Sequence, residues 1–334
     1  MKVNISEISR ISGFSPATVS NALNNKKGVN RETAEKILQI AQENGYQSKL
    51  KINNIKFVIY RNSGLVVADT PFFSSLIAGV ESESRNSGYE TAIFNLDRCS
   101  PDYEKSLNKL MNDSKSAILL LATELSEEEI RAFRDIPSPL VVLDSWFEES
   151  TFNSVLINNT DSVYHAVRYL IGRGHRRIGY LQGSVRIRNF IYRQLGYQRA
   201  MLNSGIQPET KFTFSLTPTM DGAYSDMERF LQQGPEMPTA FMADNDIIAL
   251  GAMKALQSHG YRIPEDISLI GFDDLQFCSI SSPPLTSIHV FKQEMGKIAV
   301  RRLIELIHSG TQAKTKIQIC NEFVERASVR QIEY

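Results

Sequence analysis

From Ile55 onward, short apolar runs alternate with longer amphipathic segments, and this alternation restricts the fold more than any other feature of the chain. The runs read as strands at Lys56–Tyr60, Glu90–Asn95, Ser116–Leu121, Leu140–Asp144, Ile178–Gln182, Thr239–Ala243 and Ile267–Phe272. Most are apolar throughout rather than at every second residue, as parallel strands buried on both faces must be. Between them, Phe72–Asn86, Ser162–Arg173, Arg193–Ser204, Ile247–His259 and Gln293–His308 carry apolar residues at helical spacing. Such alternation makes a doubly wound α/β sheet. The stretch is about 280 residues long, large for one such sheet, so two lobes with a cleft between them are expected.

Ahead of it lies a segment of different character. Asn4 can cap a first helix, with Glu7 in the capping-box position and Ile5, Ile8 and Ile11 as its apolar positions. Gly13-Phe14 breaks it. Ser15 can cap a second helix with Pro16 at its first position, where a missing N–H costs nothing. That helix runs to about Leu23, and Asn24 to Gly28 form a loop. Asn30 caps a third helix, in which Ala34, Ile37, Leu38 and Ala41 make one face, and Gly45 ends it. Residues 47–54 are polar and basic and read as a linker.

Charge separates the two regions. The chain is neutral overall, yet residues 1–56 hold nine Lys and Arg against four Glu, and the remainder balances that surplus. A basic head on a mildly acidic body fits a polyanion bound at one end only. No apolar run approaches the length of a membrane span, and Met1 to Glu7 lack a signal core, so a cytoplasmic protein is expected. Cys99, Cys278 and Cys320 are odd in number and far apart, which argues against a disulfide framework or a thiolate metal site. The five histidines are scattered, and no metal or cofactor is expected. There is no Walker loop, no Gly-x-Ser-x-Gly elbow and no His-Glu-x-x-His, so an enzyme is not expected.

Helix, tight turn and a second helix opening on small polar residues spell a helix-turn-helix. A recognition helix needs short side chains at its first turn to approach base edges in the major groove. Ser15, Pro16, Ala17, Thr18, Ser20 and Asn21 supply them, with Asn24, Asn25 and Lys26 in the following loop. Asn21 can pair bidentately with adenine, Ala17 can touch a thymine methyl, and the free N–H groups of the first turn can hold a phosphate. A three-helix module for protein contact is the bland alternative.

Here the chain resembles a known family. Val3-Asn4-Ile5-Ser6-Glu7-Ile8-Ser9 and Ser12-Gly13-Phe14-Ser15-Pro16-Ala17-Thr18-Val19-Ser20-Asn21-Ala22-Leu23-Asn24 are similar to the signature of the lactose- and galactose-repressor family, LacI/GalR. Further matches include Gly79-Val80-Glu81, Gly174-His175-Arg176-Arg177-Ile178, Arg193-Gln194-Leu195-Gly196-Tyr197, Asn245-Asp246, Gly271-Phe272-Asp273-Asp274 and Pro283-Pro284-Leu285-Thr286-Ser287. The resemblance implies a small all-α helix-turn-helix head (1–46), the linker, and a periplasmic-binding-protein-like α/β core (55–334) of two doubly wound parallel-sheet lobes. The lobes are placed at about 55–158 with 288–318, and about 159–287 with 319–334. It also implies a homodimer on a near-palindromic operator and a small effector in the cleft. Arg193, Asn245 and Asp273 fall at the family's effector-contacting positions.

Four more effector candidates come from position and chemistry. Phe72 and Phe73 open a helix just after the first strand, at the carboxyl edge where such sheets bind ligands. Core packing is their alternative role. Asp144 ends a strand, and Trp146, the chain's only tryptophan, stands beside it, a pairing that suits a sugar face. The linker is about seven residues shorter than the family's, and Leu50 is its only candidate for a minor-groove wedge. The expected function is a transcription regulator, a repressor of a carbohydrate-use operon relieved by a sugar-like effector. The alternatives are a regulator needing an effector or partner protein to bind DNA, and a sugar-binding transport protein.

Overall fold

A computed structural model of the chain describes residues 4–23, 28–44, 52–67, 71–149, 151–309, 311 and 313–333. The chain divides into two units, Met1–Ile52 with Ile304–Gln312, and Asn53–Leu303 with Ala313–Tyr334.

In the first unit the head forms α1 (Ile5–Ser12), α2 (Pro16–Leu23) and α3 (Arg31–Glu43). Its caps follow from sequence: Asn4 Oδ1 accepts from Glu7 N at 2.9 Å, and Asn30 Oδ1 from Thr33 N at 2.8 Å. Gly13, at φ 74°, turns the chain between α1 and α2. Ile8, Val19, Ala22, Ile37 and Ala41 form the head's core. Two expected core positions face outward: Ile11 is 41% and Leu38 43% exposed. A step of three residues turns a helix about 60° short of a full circle, so Ile11 has rotated past the interface that buries Ile8. Leu38 lies about 100° around α3 from Ile37.

The second unit is built of sheets and crossover helices. Its first lobe contains β1 (Asn54–Arg61), α4 (Pro71–Asn86), β2 (Glu90–Asp97), α5 (Tyr103–Met111), β3 (Ser116–Leu121), β4 (Leu140–Leu143) and β5 (Asn153–Ile157). The second holds α6 (Asn159–Gly172), β6 (Ile178–Gly183), α7 (Arg188–Asn203), β7 (Thr213–Leu216), α8 (Met220–Leu231), β8 (Ala240–Ala243), α9 (Asp246–Ser258), β9 (Ser268–Ile270) and α10 (Phe277–Ile280). The chain continues through β10 (Ser287–His289), α11 (Lys292–Ser309), β11 (Lys316–Ile319) and β12 (Glu322–Val324). One sheet has the order β11-β5-β4-β3-β1-β2 and the other β7-β6-β8-β9, and every pairing in both is parallel. β10 and β12 pair antiparallel.

β3 and β4 are buried at every position, as their continuous apolar runs require. Five strands escaped the sequence reading. β5 opens on Asn153 and Ser154, β7 alternates polar with apolar, β11 is a half-exposed edge, and β10 and β12 have three residues each. The linker assigned to 47–54 also ends earlier. Asn53 donates to the Lys115 carbonyl at 2.9 Å and Asn54 already belongs to β1, so sheet pairing takes both. Residues 47–51 lie outside the described residues.

Candidate functional site

On the head, the second helix offers its first turn. Ser15, Pro16 and Ala17 are exposed, Thr18, Ser20 and Asn21 half-buried, while Val19 and Ala22 are committed to the core. Capping occupies part of the set. Ser15 Oγ accepts from Thr18 N at 3.1 Å and lies 2.8 Å from Thr18 Oγ1. Ala17 and Asn21 are therefore the freer of the groups expected to read bases. Asn24, Asn25, Lys26 and Leu50 lie outside the described residues.

In the second unit, a cleft gathers the residues that follow successive strands. Val66, Phe72 and Phe73 follow β1, Thr123 follows β3, and Asp144 follows β4. Ile187, Asn189, Phe190 and Arg193 follow β6, Pro218 follows β7, Asn245 and Ile247 follow β8, and Asp273 and Leu275 follow β9. The cleft thus sits at the carboxyl edges of both sheets, where parallel topology leaves room for a ligand.

Six of the seven expected effector residues line it. Phe72 and Phe73 both do, their rings edge to face with centroids 5.1 Å apart. The first turn of α4 ends at the cleft, so neighbouring positions can both reach it. Trp146 does not line it. Asp144 takes the left-handed conformation (φ 66°), and two residues later the indole packs on Tyr192 of α7, centroids 4.2 Å apart. The carboxylate and the indole leave the turn towards different neighbours, which sequence adjacency alone does not show. The sequence reading missed Thr123 and Asn189. Their signal was available: each stands within a few residues of a strand's carboxyl end.

Arg193 is 3% exposed. Its Nε donates to Asn159 Oδ1 at 2.8 Å, Nη1 to the Asp244 carbonyl at 2.5 Å and Nη2 to Asp273 Oδ1 at 3.4 Å. The guanidinium lies 3.6 Å from the centroid of the Phe272 ring. Each Asp144 carboxylate oxygen has one protein donor: Thr123 Oγ1 donates to Oδ2 at 2.6 Å and Asn189 Nδ2 to Oδ1 at 3.0 Å. Burial pushes its pKa up to about 6. Asp273 differs. It is 8% exposed at φ 106°, and among the described residues its carboxylate has only the long Arg193 contact. Burial raises its pKa, with Arg193 and Lys292 pulling it back. Lys292 Nζ, itself buried, donates to the Asp273 carbonyl. Asn245 uses Oδ1 to cap α9, accepting from Ile248 N at 3.0 Å, which leaves its Nδ2 for the cleft. Behind them Asp246, fully buried, accepts from Leu275 N at 2.8 Å and Ser287 Oγ at 2.6 Å. Burial lifts its pKa to about 7.

This arrangement can hold a compact polar molecule. Asp273 offers lone pairs, Asn245 a donor, and Phe72 and Phe73 apolar faces. The cleft's cation is already engaged by protein acceptors. Among the described residues no cluster of His, Cys, Asp and Glu could hold a metal ion, and no helix is long and apolar enough to cross a membrane.

Comparison with known proteins adds the following. The family model described as bacterial regulatory proteins, lacI family, matches residues 4–49, and that for a periplasmic binding protein-like domain matches 167–329. The chain is 32% identical to the HTH-type transcriptional repressor PurR of Vibrio atlanticus (strain LGP32), covering 98% of each protein. It is 31% identical to the ribose operon repressor of Haemophilus influenzae, covering 92% of each. Among solved structures, a transcriptional regulator CelR–cellobiose complex superposes with a TM-score of 0.74 at 23% identity, covering 97% of this chain and 99% of that one. A lac repressor dimer bound to operator gives 0.71 at 23%, covering 99% and 100%.

Proposed function

Because the chain belongs to the lacI family of bacterial regulatory proteins and is a DNA-binding transcriptional regulator, we propose that it represses a carbohydrate-use operon and is released by a neutral, sugar-like effector. The carrying observation is the cleft's polar inventory. A buried carboxylate with one long protein contact and an amide with a spare donor face two phenyl rings. A polyol has adjacent hydroxyls that donate to the first and accept from the second, and a C–H face for the rings. A relative named for a ribose operon and a fold neighbour holding cellobiose support a sugar. A transport protein sharing the core has no use for the head at residues 4–49.

The regulator acts in the cytoplasm as a homodimer, whose two heads meet a near-palindromic operator; the lac repressor neighbour is a dimer on its operator. Asn21 reads a base. Asn21→Ala is expected to lose roughly 1–3 kcal/mol at the preferred site while non-specific binding survives. Anisotropy titrations of matched and scrambled 20-bp duplexes would check it (about two helical turns). An unchanged ratio of the two affinities removes Asn21 from the base-reading set. In so short a linker Leu50 contributes little as a wedge. Leu50→Ala is expected to alter operator affinity by less than about 1 kcal/mol, and a large loss with abolished DNA bending would contradict that.

A further inference from the structure

Glu124 stands one residue beyond Thr123, just after β3, and is 7% exposed. Among the described residues its carboxylate meets no cation and no side chain. It accepts five backbone N–H groups from the loop that follows β1. Asn62, Ser63 and Gly64 donate to Oε2 at 2.8, 2.8 and 2.9 Å, and Val66 and Val67 donate to Oε1, each at 2.9 Å. Gly64, at φ 68°, supplies the left-handed step that turns these amides inward together. Burial by itself would push the carboxyl's pKa up, yet the amides outweigh it and hold it below the ordinary range.

We propose that Glu124 is a positioning residue for the effector cleft, fixing through these five amides the loop whose Val66 forms one wall. The inference rests on reading the cleft as the effector site. Three observations join it to that site. Val66 lines the cleft directly. The neighbouring Thr123 also lines it and holds Asp144, so two consecutive residues after β3 brace two separate walls. The braced loop lies a few residues before Phe72 and Phe73 in sequence. A carboxylate suits the task because it presents only acceptors, and charge-assisted bonds to N–H groups are the stronger kind. Glutamine would turn an NH₂ group towards two or three of the same amides, whichever way it flips.

The test uses Glu124→Gln in the full chain, with hydrogen exchange followed by peptide and titrations of D-ribose, D-glucose and cellobiose. Amides of residues 62–67 are expected to exchange about ten-fold faster or more, while peptides of β8, β9 and the head stay as in wild type. Any of the three sugars bound by the wild-type chain should bind about ten-fold more weakly, with operator affinity within about two-fold. A general loss of packing would instead raise exchange throughout the first sheet. Should that variant fail to fold, Gly64→Ala strains the same loop without touching the buried carboxylate, since no atom lies within 4 Å of the added Cβ. It should give the same split. Unchanged exchange at 62–67 overturns the proposal, as does faster exchange with sugar affinity intact. If the wild-type chain binds none of the three, those sugars are removed as effectors, while unchanged exchange at 62–67 in the variant still overturns the anchoring.

Discussion

Asp273→Ala is expected to abolish the response to effector while leaving operator affinity within about two-fold of wild type. The carboxylate is the least committed charge in the cleft, with one 3.4 Å contact to Arg193. Hydrogen bonds to a charged group contribute about 1.5–3 kcal/mol each, so losing two to neighbouring hydroxyls weakens binding by about a hundred-fold or more. The change also takes a carboxylate partner from the buried Arg193, so circular dichroism of the variant is read before its binding. Alanine at φ 106° does carry backbone strain, so Asp273→Asn is the matched control. Asparagine accepts that conformation and keeps the shape, but it replaces one acceptor with a donor. Calorimetry with neutral sugars, beside operator titrations, reads both effects. A variant that still responds at wild-type concentrations would remove Asp273 from the site.

Gly79→Ala is expected to destabilise the core unit by about 3 kcal/mol or to prevent its folding. A Cβ on Gly79 would lie 2.1 Å from the Gln293 carbonyl oxygen, a backbone atom of α11 with no rotamer to escape by. The reciprocal approach is also too close for a methyl, since a Cβ on Gly296 would lie 2.6 Å from the Leu76 carbonyl oxygen. The α4–α11 crossing is thus set at backbone contact distance, and an added methyl forces the helices apart. α4 carries Phe72 and Phe73, so the displacement should reach the cleft. Urea unfolding gives the magnitude, and a midpoint unchanged from wild type would show that the crossing yields more easily than this geometry allows.

Gly79 also shows how much could be read in advance. Its place in the family pattern was visible in sequence, whereas the physical need for it, a neighbouring backbone, belongs to the fold. The same holds in the site. Phe72, Phe73, Asp144, Arg193, Asn245 and Asp273 converge because each follows a parallel strand, and strand ends can be read from apolar runs. Trp146 does not join them in lining the cleft, because position beside Asp144 says nothing about direction after a left-handed turn. Thr123, Asn189 and Glu124 were passed over because their importance lies in partners 21 to 62 residues away. Helix caps were legible because Asn4, Ser15 and Asn30 bond only three residues ahead. Ile11 and Leu38 were misplaced because apolar spacing fixes a helix face only to within about 60–100°. The edge strand β11 was invisible for a related reason. It pairs with β5, Lys316 opposite Ser154, and half of its side chains face solvent.

On the proposed reading, a neutral sugar in the core cleft changes how tightly the head holds operator DNA. The most direct measurement is the operator dissociation constant of the full chain, at fixed salt, with and without saturating neutral sugars and their phosphorylated counterparts. At least one neutral sugar is expected to weaken operator binding by about five-fold or more, as coupling of about 1–3 kcal/mol requires, and its phosphate ester is not. Operator affinity that no neutral sugar alters, or that only a phosphorylated sugar alters, would contradict it.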